Sequence, residues 1–98
     1  MANKPTLGSA LQTARKARGL SQEAFSDVSS RTYLSTLERG LKSPTLKKLE
    51  GLCDVLEVHP LTLLLLSYTS NQKQARELAE KILDEAESIR TQKASKSS

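Results

Sequence analysis

Arg31, Thr32, Ser35 and Thr36 place one guanidinium and three hydroxyl groups at steps of one, three and one residue. On a helix these positions share one side, while Leu34 and Leu37, three residues apart, share the other. A face of this kind performs no covalent chemistry; it donates and accepts hydrogen bonds. A short helix with an apolar stripe inward and such side chains outward has the geometry needed to meet base edges in a DNA major groove.

The stretch that must position this helix is Ser21 to Gly40, SQEAFSDVSSRTYLSTLERG. Ser21 is a good N-cap for a first short helix through Gln22, Glu23, Ala24, Phe25 and Ser26, and Glu23 suits the positive end of its dipole. Asp27, Val28, Ser29 and Ser30 interrupt the pattern, and the serines favour a turn followed by a new N-cap. The second helix runs from Arg31 to Glu38 or Arg39, and Gly40 is its left-handed stop.

Composition excludes several classes. A chain of 98 residues suits one domain. Phe25, Tyr33 and Tyr68 are the only aromatics, so the core must be Leu, Val, Ile and Ala; no alternating strand pattern appears, and an all-α fold is expected. Cys53, the single cysteine, precludes an intramolecular disulfide or multi-cysteine zinc site and reads as a small core residue. No apolar signal region follows Met1 and no run is long enough to span a membrane, so a cytoplasmic location is expected. Nothing supplies a nucleophile–base pair, a glycine-rich phosphate loop or clustered metal ligands. The sequence therefore points away from an enzyme, with no catalytic residue, metal or cofactor. The net charge is +4, and its distribution tells more. Arg31, Arg39, Lys42, Lys47 and Lys48 stand against the single anion Glu38, whereas Glu50, Asp54 and Glu57 dominate the next segment. A polarised surface follows, basic along the helix that begins at Arg31.

Before this stretch, Leu7, Leu11, Ala14 and Ala17 form one helical face, Arg15, Lys16 and Arg18 complement the helix C-terminus, and Gly19 ends it. After it, Ser43 and Pro44 read as N-cap and first residue of a helix to about Leu56, with Leu46, Leu49, Leu52, Cys53 and Leu56 as its apolar stripe. Pro60 starts a fifth helix, to about Tyr68, with the lone His59 as a helix-start residue. Leu61 and Leu63 to Leu66 are too many for one face of so short a helix, which leaves apolar surface for a second chain or for the C-terminal segment to cover. That segment, Asn71 to Gln92, carries Ala75, Leu78, Ala79, Ile82, Ala86 and Ile89 at three- and four-residue steps, a narrow stripe suited to either role. Asn71 and Gln74 resemble a capping pair. The expected organisation is a tail over 1–5, a helical domain over 6–69, an amphipathic helix over 70–92 and a disordered tail over 93–98.

Leu11, Arg15 and Arg18-Gly19-Leu20-Ser21-Gln22-Glu23, then Tyr33-Leu34-Ser35, Leu37-Glu38-Arg39-Gly40, then Ser43-Pro44-Thr45-Leu46, Leu49, Leu56 and Val58 follow one another in an order that resembles the lambda-repressor-like, Cro/CI (XRE) helix-turn-helix domains. The resemblance covers Leu7 to about Leu66. It implies a compact five-helix fold, here with an additional C-terminal helix, that binds double-stranded operator DNA, usually as a dimer and in many members as a repressor. One departure is visible: the turn Ser26-Asp27-Val28-Ser29-Ser30 is shorter than usual and lacks glycine, which implies a truncated first central helix or a tighter turn.

Carried over position by position, the resemblance places Arg31, Thr32, Tyr33 and Thr36 where family members touch bases, with Tyr33 equally suited to the core edge. Ser21, Gln22, Ser35, Arg39, Lys42, Ser43 and Lys47 fall where phosphates are gripped. Leu63, Leu64, Leu66, Leu78, Ile82 and Ile89 are the expected homodimer contacts. The rival reading is a protein-interaction module, such as an antitoxin, that uses an XRE-like domain and grips a partner with its C-terminal helix.

Overall fold

A computed structural model describes residues 6–96, which form five α-helices and one 3-10 turn with no strand among them. The helices are α1 (Leu7–Ala17), α2 (Arg31–Glu38), α3 (Leu46–Leu56), α4 (Pro60–Tyr68) and α5 (Gln72–Lys96), and the 3-10 turn is Gln22–Phe25. The expected tail over 1–5 lies outside the described residues.

Each helix starts where a side chain accepts an otherwise orphaned N–H. Thr6 and Ser9 form a reciprocal capping box on α1, the Ser30 hydroxyl accepts from Tyr33 N, and the His59 Nδ1 accepts from Leu61 N ahead of Pro60. Asn71 Oδ1 accepts from Gln74 N while Gln74 Oε1 accepts from Ser70 N, which fixes the start of α5 as the sequence pair suggested. Gly19 and Gly40, at φ of 70° and 76°, terminate α1 and α2 in the left-handed region.

The short Ser26–Ser30 linker gives the truncation it implied, and four expectations are corrected. The first central helix is only a single 3-10 turn, because Phe25 O accepts from both Val28 N and Ser29 N and turns the chain at once; Ser21 is extended there but makes no side-chain cap bond. The cap of α3 is Thr45, whose hydroxyl accepts from Lys48 N, and Ser43-Pro44 stays in the loop, as the extended preference of a residue before proline favours. Leu46 consequently stands 66% exposed, outside the buried stripe of Leu49, Leu52, Cys53 and Leu56. Helix α5 runs on to Lys96, through most of the stretch expected to be disordered; alanine and lysine are strong helix formers and extend it.

The core is Ala10, Leu11, Phe25, Leu34, Leu37, Leu49, Leu52, Cys53, Leu56 and Leu63, all nearly or wholly buried. Burial, and secondarily the neighbouring Asp54 carboxylate, pushes the Cys53 thiol up from its ordinary range, so it stays protonated as a small core residue. α1 packs across α2 and α4. The crossing with α2 is close because residue 8 is glycine: a Cβ there would lie 2.9 Å from the Glu38 carbonyl oxygen and closer still to that of Leu37. Arg18 donates to the Leu56 and Glu57 carbonyl oxygens at 2.8 and 3.2 Å, satisfying the C-terminus of α3, where Glu57 is left-handed. α5 packs on α4 and projects beyond it. The radius of gyration, 16.0 Å, exceeds the roughly 13 Å of a compact chain of this length for that reason.

Candidate nucleic-acid interface

α2 is eight residues long, and its orientation is set by Leu34 and Leu37, which are 0% and 2% exposed. That leaves Arg31 and Thr32 exposed and Ser35 and Thr36 half-buried on the other side. Gln22, Arg31, Thr32, Ser35 and Arg39 line one open groove of about 360 Å³ between the 3-10 turn and α2. Five of the sequence-derived contact residues are thus brought together. The cation of Arg31 lies 3.9 Å from the Glu23 carboxylate with both side chains more than two-thirds exposed, a pairing too wet to restrain either.

A second groove, of about 320 Å³, is lined by Val28, Thr45, Lys47, Lys48 and Gly51 at the start of α3. Lys47 is exposed there, as are Lys42 and Ser43 in the preceding loop and Ser21 before the 3-10 turn. Lys48 is tied down: its ammonium donates to the Val28 carbonyl oxygen and sits 5.5 Å from the Tyr33 ring centroid. Tyr33 itself is half-buried against the core, so the structure places it at the core edge rather than beside Arg31 and Thr32. Thr36 donates its hydroxyl proton to Thr32 O at 2.8 Å, which leaves the oxygen as an acceptor in this conformation.

A polar network beneath the groove holds the parts in register. Arg15 is buried and donates from Nε to Glu38 Oε2 at 2.6 Å, from Nη2 to Oε1 at 3.1 Å, and from Nη1 to Leu20 O at 2.9 Å. Gln22 Nε2 donates to Glu38 Oε1 at 3.2 Å, joining the 3-10 turn to α2 and keeping its second amide hydrogen free. The hydrogen bond from Arg15 to Glu38, opposed by burial and aided by the carboxylate's charge, raises the guanidinium pKa further above its ordinary value. No described buried side-chain N or O lacks a hydrogen-bond partner. The consequence for charge is direct: the single anion of the basic segment is neutralised by Arg15, and that segment's exposed charges are the cations Arg31, Arg39, Lys42 and Lys47, with Glu23 of the 3-10 turn beside Arg31.

From the sequence, Arg15 belongs to the helix dipole and Glu38 is only the single anion of a basic segment. A signal was present: Arg15 extends the Leu7–Leu11 row by four residues, and Glu38 extends Leu34 by four, so opposite charges continue two apolar faces. The close approach at Gly8 carried only the signal of a glycine inside a helix, tolerated when packing requires it. Among the described residues no three His, Cys, Asp or Glu side chains gather as metal ligands would, and no helix is long and apolar enough to cross a membrane.

A helix-turn-helix family model matches residues 11–63, more than half of the chain, from within α1 to the first turn of α4. The chain belongs to the XRE/lambda-repressor-like helix-turn-helix family. Its all-helical architecture agrees with that membership. As a member of this helix-turn-helix family it is a DNA-binding transcription regulator, of a class that is typically non-enzymatic. No curated protein matches the sequence significantly.

Proposed function

We propose that the protein binds a pseudo-palindromic operator in double-stranded DNA as a homodimer, with α2 lying in the major groove of each half-site. The observation that carries this reading is the groove between the 3-10 turn and α2, where Arg31, Thr32, Ser35, Arg39 and Gln22 converge while Glu38, the one anion within α2, is held by Arg15.

In this reading Arg31, at the first turn of α2, donates two parallel hydrogen bonds to guanine O6 and N7. Thr32 offers a methyl to thymine or a hydroxyl to a base edge. Thr36, one turn on, accepts from adenine N6 or cytosine N4, because its own proton is bound to Thr32 O. Tyr33 buttresses this face from the core edge and guides Lys48. Ser21, Gln22 through its second amide hydrogen, Ser35, Arg39, Lys42, Ser43 and Lys47 hold phosphates, which set register and salt dependence rather than sequence.

One copy presents a single short reading helix, which covers a half-site, and two copies on a palindrome supply the affinity a regulator needs. For the dimer contact, Leu64, Leu66, Leu78, Ile82 and Ile89 all retain exposed surface, whereas Leu63 is fully buried in its own core and drops out. The test is fluorescence anisotropy on a selected operator and a scrambled duplex. Loss of discrimination on Arg31→Ala with folding intact supports the reading; unchanged discrimination contradicts it.

A further inference from the structure

The stripe along α5 has a symmetry that its packing within one chain does not use. Measured from Ile82, its apolar positions are Ala75 at minus seven, Leu78 at minus four, Ala79 at minus three, Ala86 at plus four and Ile89 at plus seven. Reversing the chain direction about Ile82 maps this set onto itself except at Ala79, whose counterpart is Glu85; Leu83, which borders the stripe, falls opposite Lys81. α4 is nine residues and about 13 Å long, whereas α5 is 25 residues and about 37 Å long, so α4 can cover only the near end. There Ala75, Leu78 and Ala79 are half-buried, as is Ala86 farther along. Beyond it Ile82, Leu83 and Ile89 are 48%, 68% and 65% exposed.

Resting on the homodimer reading above, we infer that α5 pairs antiparallel with the α5 of a second copy, with the two-fold axis at Ile82. Reversal brings the uncovered far half of each helix against the near half of the other, where the partner's α4 already stands, so two α4–α5 hairpins close into one four-helix layer. Ile89 meets the partner's Ala75, Leu78 meets the partner's Ala86, and large residues face small ones along the seam. A parallel pair in register would stack Glu85 on the partner's Glu85 at a stripe position, a like-charge contact that antiparallel pairing replaces with the partner's Ala79. By the same reversal Arg76 stands level with the partner's Ser88, while Glu77 stands level with the partner's Glu87 and Glu80 with the partner's Asp84, all on flanks away from the seam.

Thiol cross-linking of the full chain with a short bismaleimide tests the inference, since Cys53 is fully buried and the parent chain is the control. Ile82→Cys is expected to cross-link with itself. Ala75→Cys and Ile89→Cys are each expected to stay uncross-linked alone and to link to each other when the two chains are mixed and allowed to exchange. Self-linking of Ala75→Cys or of Ile89→Cys would overturn the antiparallel order. A dimer in sedimentation with none of these links would overturn the seam and leave the homodimer reading standing. A monomer at micromolar concentration, free and on DNA, would overturn both and assign the stripe to a different protein.

Discussion

At the scale of single residues, the division between α2 side chains that face the core and those that face outward decides what each substitution does. Arg31→Ala should lower discrimination between operator and random DNA by roughly 1–3 kcal/mol, whereas Lys42→Ala and Lys47→Ala should weaken binding to all sequences alike and each reduce the salt slope by about 1. Titrations of both duplexes across a salt series separate the two behaviours; a change of base preference in a lysine variant would contradict the assignment. Glu38→Ala acts on folding instead, because it strands the buried Arg15 guanidinium. It should cost on the order of 3 kcal/mol, read as a lower urea midpoint, and Arg15→Lys with Glu38 kept should retain only part of the pair's stabilisation because an ammonium cannot fork across both carboxylate oxygens. The outward positions of α2 were legible in the sequence because Leu34 and Leu37 fix the helix rotation. The Arg15–Glu38–Gln22 network was not, because its members lie 16 and 23 residues apart and meet only once α1 and the 3-10 turn pack against α2.

Among elements, the close crossing of α1 over the end of α2 sets how α2 stands out from the domain. Gly8→Ala would gain helix propensity in α1 yet force a Cβ onto the Leu37 and Glu38 carbonyl oxygens. A net loss of about 1–3 kcal/mol in urea unfolding is expected, and an unchanged or raised midpoint would show that the crossing relaxes freely. Helix boundaries were legible wherever a cap residue and a glycine or proline agree, as at Gly19, Gly40 and Pro60. They were misread where two caps compete: Ser43 and Thr45 flank the same proline, and the structure chooses the one whose hydroxyl reaches an N–H three residues on. The 3-10 turn follows the shortened Ser26–Ser30 linker, whose missing residues leave the first central helix no room for a second turn.

In the whole molecule a helix-turn-helix domain is joined to a long helix that reaches past it. A chain ending at Ser70 should keep the fold of α1 to α4, because the buried core draws no residue from α5. If α5 carries the dimer, that fragment should sediment as a monomer and bind operator weakly; a fragment that stays dimeric would move the contact to α4. The periodicity of α5 was plain in the sequence, but its reach was not, since a helical stripe alone does not say where its packing partner ends.

The central claim is that α2 reads DNA, and selection from a random duplex pool tests it most directly. The parent chain should enrich an inverted repeat with half-site centres about 10–10.5 base pairs apart, and Arg31→Ala should lose preference at one symmetric pair of positions while keeping the rest. Identical enrichment by the parent, Arg31→Ala and Thr36→Ala, all folded, would show that another part of the molecule does the reading.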